Sequence, residues 1–279
     1  MTRRPLGTLL AGILVPATLL ALLGCSAAAS DPTSPAGTAD ATASASASAG
    51  PVAALRGTIV VDAAASLTGS FTAIATAFTA AHPGVTVTLN FGSSASLASA
   101  IVAGAPVDVF AAASTATMAT VTTAALTATP PRVFARNSLE IAVPPGNPAK
   151  IIGIRDFADP AKKIALCAPQ VPCGAAAATA FAAAGITPAP DTLEQDVKAA
   201  LNKVQLGEVD AAMVYRTDVI AAGKKVVGIT FAESAKAVTS YPIAPLAKGP
   251  NAAVAAAFAA FVVSPTAQKI LATAGFQAP

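Results

Sequence analysis

Three places in the chain set a hydroxyl or thiol residue between a β-branched run and a helical one: Ala65-Ser66, Ser93-Ser94 and Pro172-Cys173-Gly174. Each is polar without being charged. The first backbone N–H groups of a helix lack an intrahelical acceptor and stand at the positive end of the helix dipole. Such a junction suits an anion, and a serine hydroxyl adds a donor. Several of them brought together would hold an oxyanion with no Lys or Arg in contact. Taken singly, each also reads as ordinary N-capping, the commonest use of Ser before a helix.

Covalent chemistry has less to work with. Ser66 could act as a nucleophile, but the sequence holds one His, His82 beside Pro83, and no G-x-S-x-G elbow. Glu194 and Asp196 lie close together at an expected helix start, where carboxylates favour the dipole in any case. No phosphate-binding loop or dinucleotide fingerprint occurs. An esterase-like enzyme built on Ser66 is thus the competing class, and a binding module the preferred one, with no catalytic residue assigned. Cys167 and Cys173, spaced C-x5-C around two prolines, read as a disulfide in an extracytoplasmic protein or as a two-thiolate metal half-site. The absence of nearby His or further Cys favours the disulfide, which would stiffen the loop that opens the following helix.

The elements that must position these residues alternate. Thr58–Val61, Val85–Phe91 and Val107–Phe110 read as strands. Between them, Leu67, Phe71, Ile74, Ala75 and Phe78 fall at helical spacing, and a second helix runs through Leu97, Ile101 and Val102 to Gly104. Further strands are expected at Ser138–Val143, Lys163–Cys167, Asp210–Tyr215 and Lys225–Phe231. An Ala-rich helix ends near Gly185, another spans Asp196–Leu206, and two helical pieces joined at Ser264-Pro265 fill residues 251–275. Strand-helix alternation predicts an α/β fold with parallel pairing and helices on the sheet faces, and the two runs of it predict two lobes.

The composition agrees. Of 279 residues, 54% are hydrophobic and 11% charged, which excludes a chain disordered over most of its length. Seventeen basic residues face 14 acidic ones with no basic run longer than two, which argues against a nucleic-acid partner.

The first 55 residues are read apart from the fold. Arg3 and Arg4 precede an apolar run from Leu6 to Leu23 that closes with Leu22-Leu23-Gly24-Cys25, the order of a secretory signal. The last four residues resemble the lipobox of bacterial lipoproteins, which implies a signal peptide over 1–24 and lipidation of Cys25. An uncleaved membrane anchor is the other reading of so long an apolar run. Loss of Arg3 and Arg4 takes the basic residues from 17 to 15 against 14 acidic ones, leaving a nearly neutral body. Stable anchoring takes more than one acyl chain, which lipoprotein processing supplies. Residues 25–55, almost wholly Ala, Ser, Thr, Pro and Gly, read as a flexible linker holding the body off the membrane.

From about residue 57 to 279 the sequence carries an ordered set of short motifs. They are Ala64-Ala65-Ser66-Leu67-Thr68, Phe91-Gly92-Ser93-Ser94, Ala103-Gly104-Ala105-Pro106 leading to Asp108-Val109-Phe110, and Arg136-Asn137-Ser138-Leu139. Val171-Pro172-Cys173-Gly174, Asp196-Val197-Lys198, Val214-Tyr215, Tyr241-Pro242-Ile243 and Ala274-Gly275-Phe276 complete the set. In this order they resemble the periplasmic molybdate-binding proteins of ABC importers, which are type II solute-binding proteins. The resemblance implies a two-lobe type II periplasmic-binding-protein fold, each lobe a mainly parallel sheet flanked by helices, with the ligand in the cleft between them. Lobe 1 would comprise 56–136 and 244–279, and lobe 2 would comprise 137–243.

The resemblance also implies a ligand set of neutral donors: hydroxyl and backbone N–H of Ser66 and of Ser94, backbone N–H of Cys173 and of Val197, and the phenol of Tyr215. Cys173 departs from the family's usual small residue, but only its N–H is needed. Molybdenum would enter only as the bound oxyanion, molybdate or tungstate, with no cofactor. The implied partners are an importer's permease and ATPase, and the implied place is outside the cytoplasm, tethered at Cys25, as a monomer. Sulfate is the alternative ligand. Ferric iron would want several Tyr, His or carboxylate ligands, and Tyr215 and Tyr241 are the sequence's only tyrosines.

Overall fold

The computed structural model describes residues 54–279. The signal at 1–24, Cys25 and all but the last two residues of the linker lie outside the described residues.

The chain enters on β1 (Gly57–Ala64), whose Ile59, Val61 and Ala63 are fully buried. A short 3-10 turn over Ala65–Leu67 leads into α1 (Thr68–Ala81). Phe71, Ile74, Ala75 and Phe78 form its buried stripe at helical spacing, and His82 with Pro83-Gly84 ends it. Next come β2 (Val85–Gly92), α2 (Ser94–Val102), β3 (Val109–Ala111), α3 (Thr115–Thr123) and β4 (Arg132–Asn137). One residue, Ser138, separates β4 from β5 (Leu139–Val143), which already belongs to the other sheet. There follow β6 (Ile164–Cys167), α4 (Pro172–Ala184), β7 (Thr192–Glu194), α5 (Val197–Gln205), β8 (Ala211–Tyr215), α6 (Arg216–Ala222) and β9 (Val227–Ile229). The chain then returns through β10 (Thr239–Pro245) to the first sheet and finishes with α7 (Ala252–Val262) and α8 (Pro265–Thr273). The last two helices bend by 57° at Ser264-Pro265, where the serine hydroxyl caps α8 and proline opens it.

The first sheet has the order β2-β1-β3-β10-β4 and the second β7-β6-β8-β5-β9. In each, the strand second from one edge runs parallel to both neighbours: β1 to β2 and β3, and β6 to β7 and β8. The other two pairings in each sheet are antiparallel, through β10 in the first and β5 in the second. Parallel and antiparallel pairings are therefore equal in number, where a mainly parallel pattern was expected. The expectation followed strand-helix alternation, which generates parallel pairs; β5 and β10 follow the passages between sheets, with no helix wound back over the same sheet. Since β10 lies in the first sheet along its whole length, the chain re-enters that lobe before Thr239 and not at 243/244.

Each sheet carries its own core. On one face of the first sheet, Phe71, Phe78, Phe134 and Phe258 pack with ring centroids 5.2–6.3 Å apart. Its other face buries Leu97, Ile101, Phe110, Met118 and Val121 beneath α2 and α3. In the second lobe Phe157 and Phe181 meet at 5.6 Å within a core of β-branched and Ala residues. Burying a large apolar side chain contributes about 1.5–3 kcal/mol, so these clusters hold the two sheets rigid beneath their connecting loops.

Candidate functional site

The sequence junctions converge. Ser66, Ser94, Cys173, Val197 and Tyr215 all line one cleft of about 230 Å3, its open mouth included. Ser66 and Ser94 come from the carboxyl ends of β1 and β2 in the first sheet, and Cys173, Val197 and Tyr215 from the loops and strand end of the second. Most of that volume is the open mouth, and the enclosed part is far too small for an organic ligand and suits a small inorganic anion.

Neither serine is a helix cap. Ser66 sits in the middle of the 3-10 turn before α1 and its Oγ lies 2.9 Å from Tyr241 Oη. Ser94 is the first residue of α2, and its Oγ accepts the N–H of Ala113 at 3.0 Å. With that lone pair occupied, the hydroxyl proton of Ser94 is available to the cleft. Ser93, the residue that occupies the cap position of α2, makes no side-chain cap bond, and its buried Oγ has no hydrogen-bond partner among the described residues.

On the opposite wall, Pro172 opens α4 and Cys173 follows in its first turn, so the Cys173 N–H has no intrahelical acceptor. A disulfide joins Cys173 to Cys167 at the end of β6, with their Cα atoms 5.7 Å apart. The loop so closed passes over Gly174 at close range: a Cβ there would stand 2.0 Å from the carbonyl oxygen of Ala168. Val197 opens α5, again with a free first-turn N–H, and Asp196 caps the same helix by accepting from Lys198 N at 2.8 Å and Ala199 N at 3.0 Å.

Asp196 is the one acidic residue of the lining, and no Lys or Arg belongs to it. Its carboxylate is taken up by the helix N-terminus. Lys198 turns away to Asp218, with Nζ 2.8 Å from Oδ1. Asp218 is fully buried and also accepts the Tyr215 N–H at 3.3 Å, which fixes the end of β8. Burial raises its pKa, and the Lys198 ammonium opposes the rise.

Tyr215 is almost wholly buried and its hydroxyl lacks a hydrogen-bond partner among the described residues. Burial, then the neighbouring Tyr241, pushes its pKa well above the usual phenol value. Burial likewise raises that of Tyr241, against the hydrogen bonds it shares with Ser66 and Asn137. Both phenols therefore keep their protons at neutral pH and can serve as donors. His82 stands elsewhere, at the end of α1, with its ring 4.6 Å from that of Phe78 and beside Arg56 and Gly84. No Ser66–His pair forms.

Sequence reasoning missed Ser93, Tyr241 and Asn137. The Ser93-Ser94 doublet was a visible signal, resolved in favour of one member. Tyr241 and Asn137 stood within motifs but carried no hint that they reach Ser66.

The sequence profile of the bacterial extracellular solute-binding protein family matches residues 59–277. A molybdate-binding protein ModA of Mycobacterium tuberculosis (strain H37Rv) is 41% identical over 235 residues, 84% of this chain and 90% of that one. The ModA of Escherichia coli K12 is 34% identical over 239 residues, 79% of this chain and 89% of its own. Among solved structures, the periplasmic molybdate-binding protein of Azotobacter vinelandii superposes with a TM-score of 0.67 at 20% identity, over 79% of this chain and 99% of that one. At that identity the likeness concerns the fold.

Proposed function

The chain belongs to the bacterial extracellular solute-binding proteins and, within them, to the molybdate-binding family, and we propose from its cleft that it captures molybdate and delivers it to an ABC importer. The observation that carries this reading is the cleft lining. First-turn N–H groups, serine hydroxyls and a phenol from both sheets face one small space that no Lys or Arg enters. Hydrogen bonds to a charged acceptor are worth about twice neutral ones, and in a desolvated cleft several together offset the cost of taking a dianion out of water.

Ser66 and Ser94 donate from one lobe, and Cys173, Val197 and Tyr215 from the other. An anion bridging them stabilises the closed arrangement, and the closed shape is what a permease recognises. The protein binds without chemistry and needs no cofactor. Tungstate, a tetrahedral dianion like molybdate, fits the same donors. One chain supplies every donor, so a monomer suffices. Residues 1–24 serve as a secretory signal, and lipid on Cys25 with the 25–55 linker tethers the body to the outer face of the membrane. The support for this is Arg3 and Arg4, the apolar run and the Leu-Leu-Gly-Cys close.

Titration calorimetry with molybdate, tungstate, sulfate and phosphate tests the ligand. Tight binding of the first two and weak binding of the others is expected. Equal affinity for sulfate would make this a general oxyanion binder, and no binding of any of the four would overturn the reading. Fatty-acid labelling that is lost in Cys25→Ser tests the tether.

A further inference from the structure

Ser66 is held by a chain of hydrogen bonds that fixes which way its proton points. The direction can be read from one end to the other. Ser138 N–H donates to Asn137 Oδ1 at 3.1 Å, which identifies the other amide atom of Asn137 as Nδ2. That nitrogen donates to Thr217 Oγ1 at 2.8 Å and to Tyr241 Oη at 3.3 Å. The phenol oxygen is thus an acceptor from Asn137, and its hydroxyl lies 2.9 Å from Ser66 Oγ, a distance that admits either hydroxyl as the donor. A phenol is the more acidic of the two hydroxyls and hence the better donor. Ser66 then accepts from Tyr241 and sends its proton into the cleft. Ser94 is set the same way by the Ala113 N–H.

We propose that Tyr241, oriented by Asn137, is a positioning residue that commits Ser66 to donate, and that this commitment makes the cleft selective for oxyanions carrying no proton. The inference rests on the oxyanion reading above. A free serine hydroxyl rotates and can accept as readily as it donates. Set beside a protonated anion such as hydrogen phosphate, it would turn and take the ligand's proton. With Tyr241 donating to one of its two lone pairs, its own proton is turned into the cleft and meets the ligand's proton donor to donor, and two facing donors repel. The network also has a consequence for closure. Tyr241 lies in β10 of the first sheet, Asn137 at the crossing between sheets and Thr217 in α6 of the second lobe, so the group that orients the donor is itself bonded across the lobes.

The test compares sulfate with phosphate as competitors for bound molybdate at pH 8, where phosphate is almost wholly the hydrogen phosphate dianion and matches sulfate in charge and shape. Tyr241→Phe keeps the buried ring and removes the hydroxyl. Its molybdate affinity is expected to fall by about 3- to 10-fold, and phosphate is expected to gain on sulfate by at least 10-fold as a competitor. Asn137→Asp replaces the amide donor by an acceptor, drawing the Tyr241 proton away from Ser66, and is expected to move the sulfate-to-phosphate ratio in the same direction. A purely structural role would weaken both competitors alike. A ratio unchanged in a folded Tyr241→Phe protein overturns the inference and leaves the oxyanion function standing. A parent protein that binds no oxyanion overturns both.

Discussion

Tyr215 and Tyr241 meet edge to face, their ring centroids 6.0 Å apart and their planes 69° apart, although one ends β8 in the second sheet and the other lies in β10 of the first. The contact sits beneath the cleft where the lobes join. The two phenols differ in what their hydroxyls do: that of Tyr241 is bonded to Ser66, and that of Tyr215 has no partner among the described residues.

Tyr215→Phe should therefore cost binding and not stability. A buried hydroxyl with no partner contributes nothing favourable to the fold. Molybdate affinity should drop roughly 10-fold, the order of one charge-assisted hydrogen bond. The melting temperature of the ligand-free protein should hold or rise. Calorimetry and a thermal melt read the two effects separately, and a melt lowered by several degrees would contradict this account of the hydroxyl.

Ser66→Ala and Ser94→Ala each remove a hydroxyl donor to the anion while leaving a backbone N–H in place. Hydrogen bonds to charged groups contribute about 1.5–3 kcal/mol, so each variant should lose roughly 10- to 100-fold in affinity. The double variant should bind molybdate too weakly for calorimetry at micromolar protein.

Gly174→Ala drives a methyl group into the Ala168 carbonyl, 2.0 Å from where its Cβ must lie. The disulfide between Cys167 and Cys173 ties down both ends of that loop, so the carbonyl has little freedom to retreat. The expected result is a loss of at least several degrees in melting temperature together with loss of anion binding. A variant with parental melting and parental affinity would show that the loop gives way.

Glu140 lies buried in β5, over Gly228, and burial raises its pKa from an ordinary value near 4.5, with Arg216 opposing the rise. A carboxyl whose folded pKa is raised is held more tightly as the neutral acid by the folded state. Its contribution to stability is thus largest below its ordinary pKa and is lost as pH climbs through the raised one. Glu140→Gln should remove that loss. At pH 4 the variant and the parent should melt alike, and at pH 7 the variant should melt about 1–4 °C higher. Equal melting at both pH values would mean that Arg216 already compensates the buried charge.

What the sequence made legible was local. Ser66, Ser94 and Cys173 each lie at a junction between a strand and the helix after it, a pattern contained in a few consecutive residues, and the C-x5-C spacing of the disulfide is equally short-range. Val197 offers the cleft its backbone N–H at the start of α5, so its side chain carries no signal, and only the family resemblance pointed to it. The bond from Ser66 to Tyr241 spans 175 residues and is a product of sheet order, which single-sequence patterns do not encode. The strand that brings Tyr241 there was itself hidden. β10 contains Pro242 and Pro245, which argue against an interior strand, and it tolerates the first at an irregularity in its register with β4. In α3 the sequence Thr115–Thr123 is rich in threonine, a weak helix former, and owes its helix to the Ser114 cap and to burial of Met118 and Val121.

The insertion of β10 between β3 and β4 sets the order in which the molecule can be completed. Strands β5 to β9 are contiguous in the chain and can pair as soon as they exist. The first sheet stays open in its middle until residue 245 has been synthesised, so a nascent chain cannot lock its leading part early. The second lobe can therefore close before the first, and the Tyr241 phenol arrives with the last strand to join. A chain stopped at residue 238 should show amide-exchange protection in β6 and β8 and little in β1 and β3; equal protection in both would refute late completion.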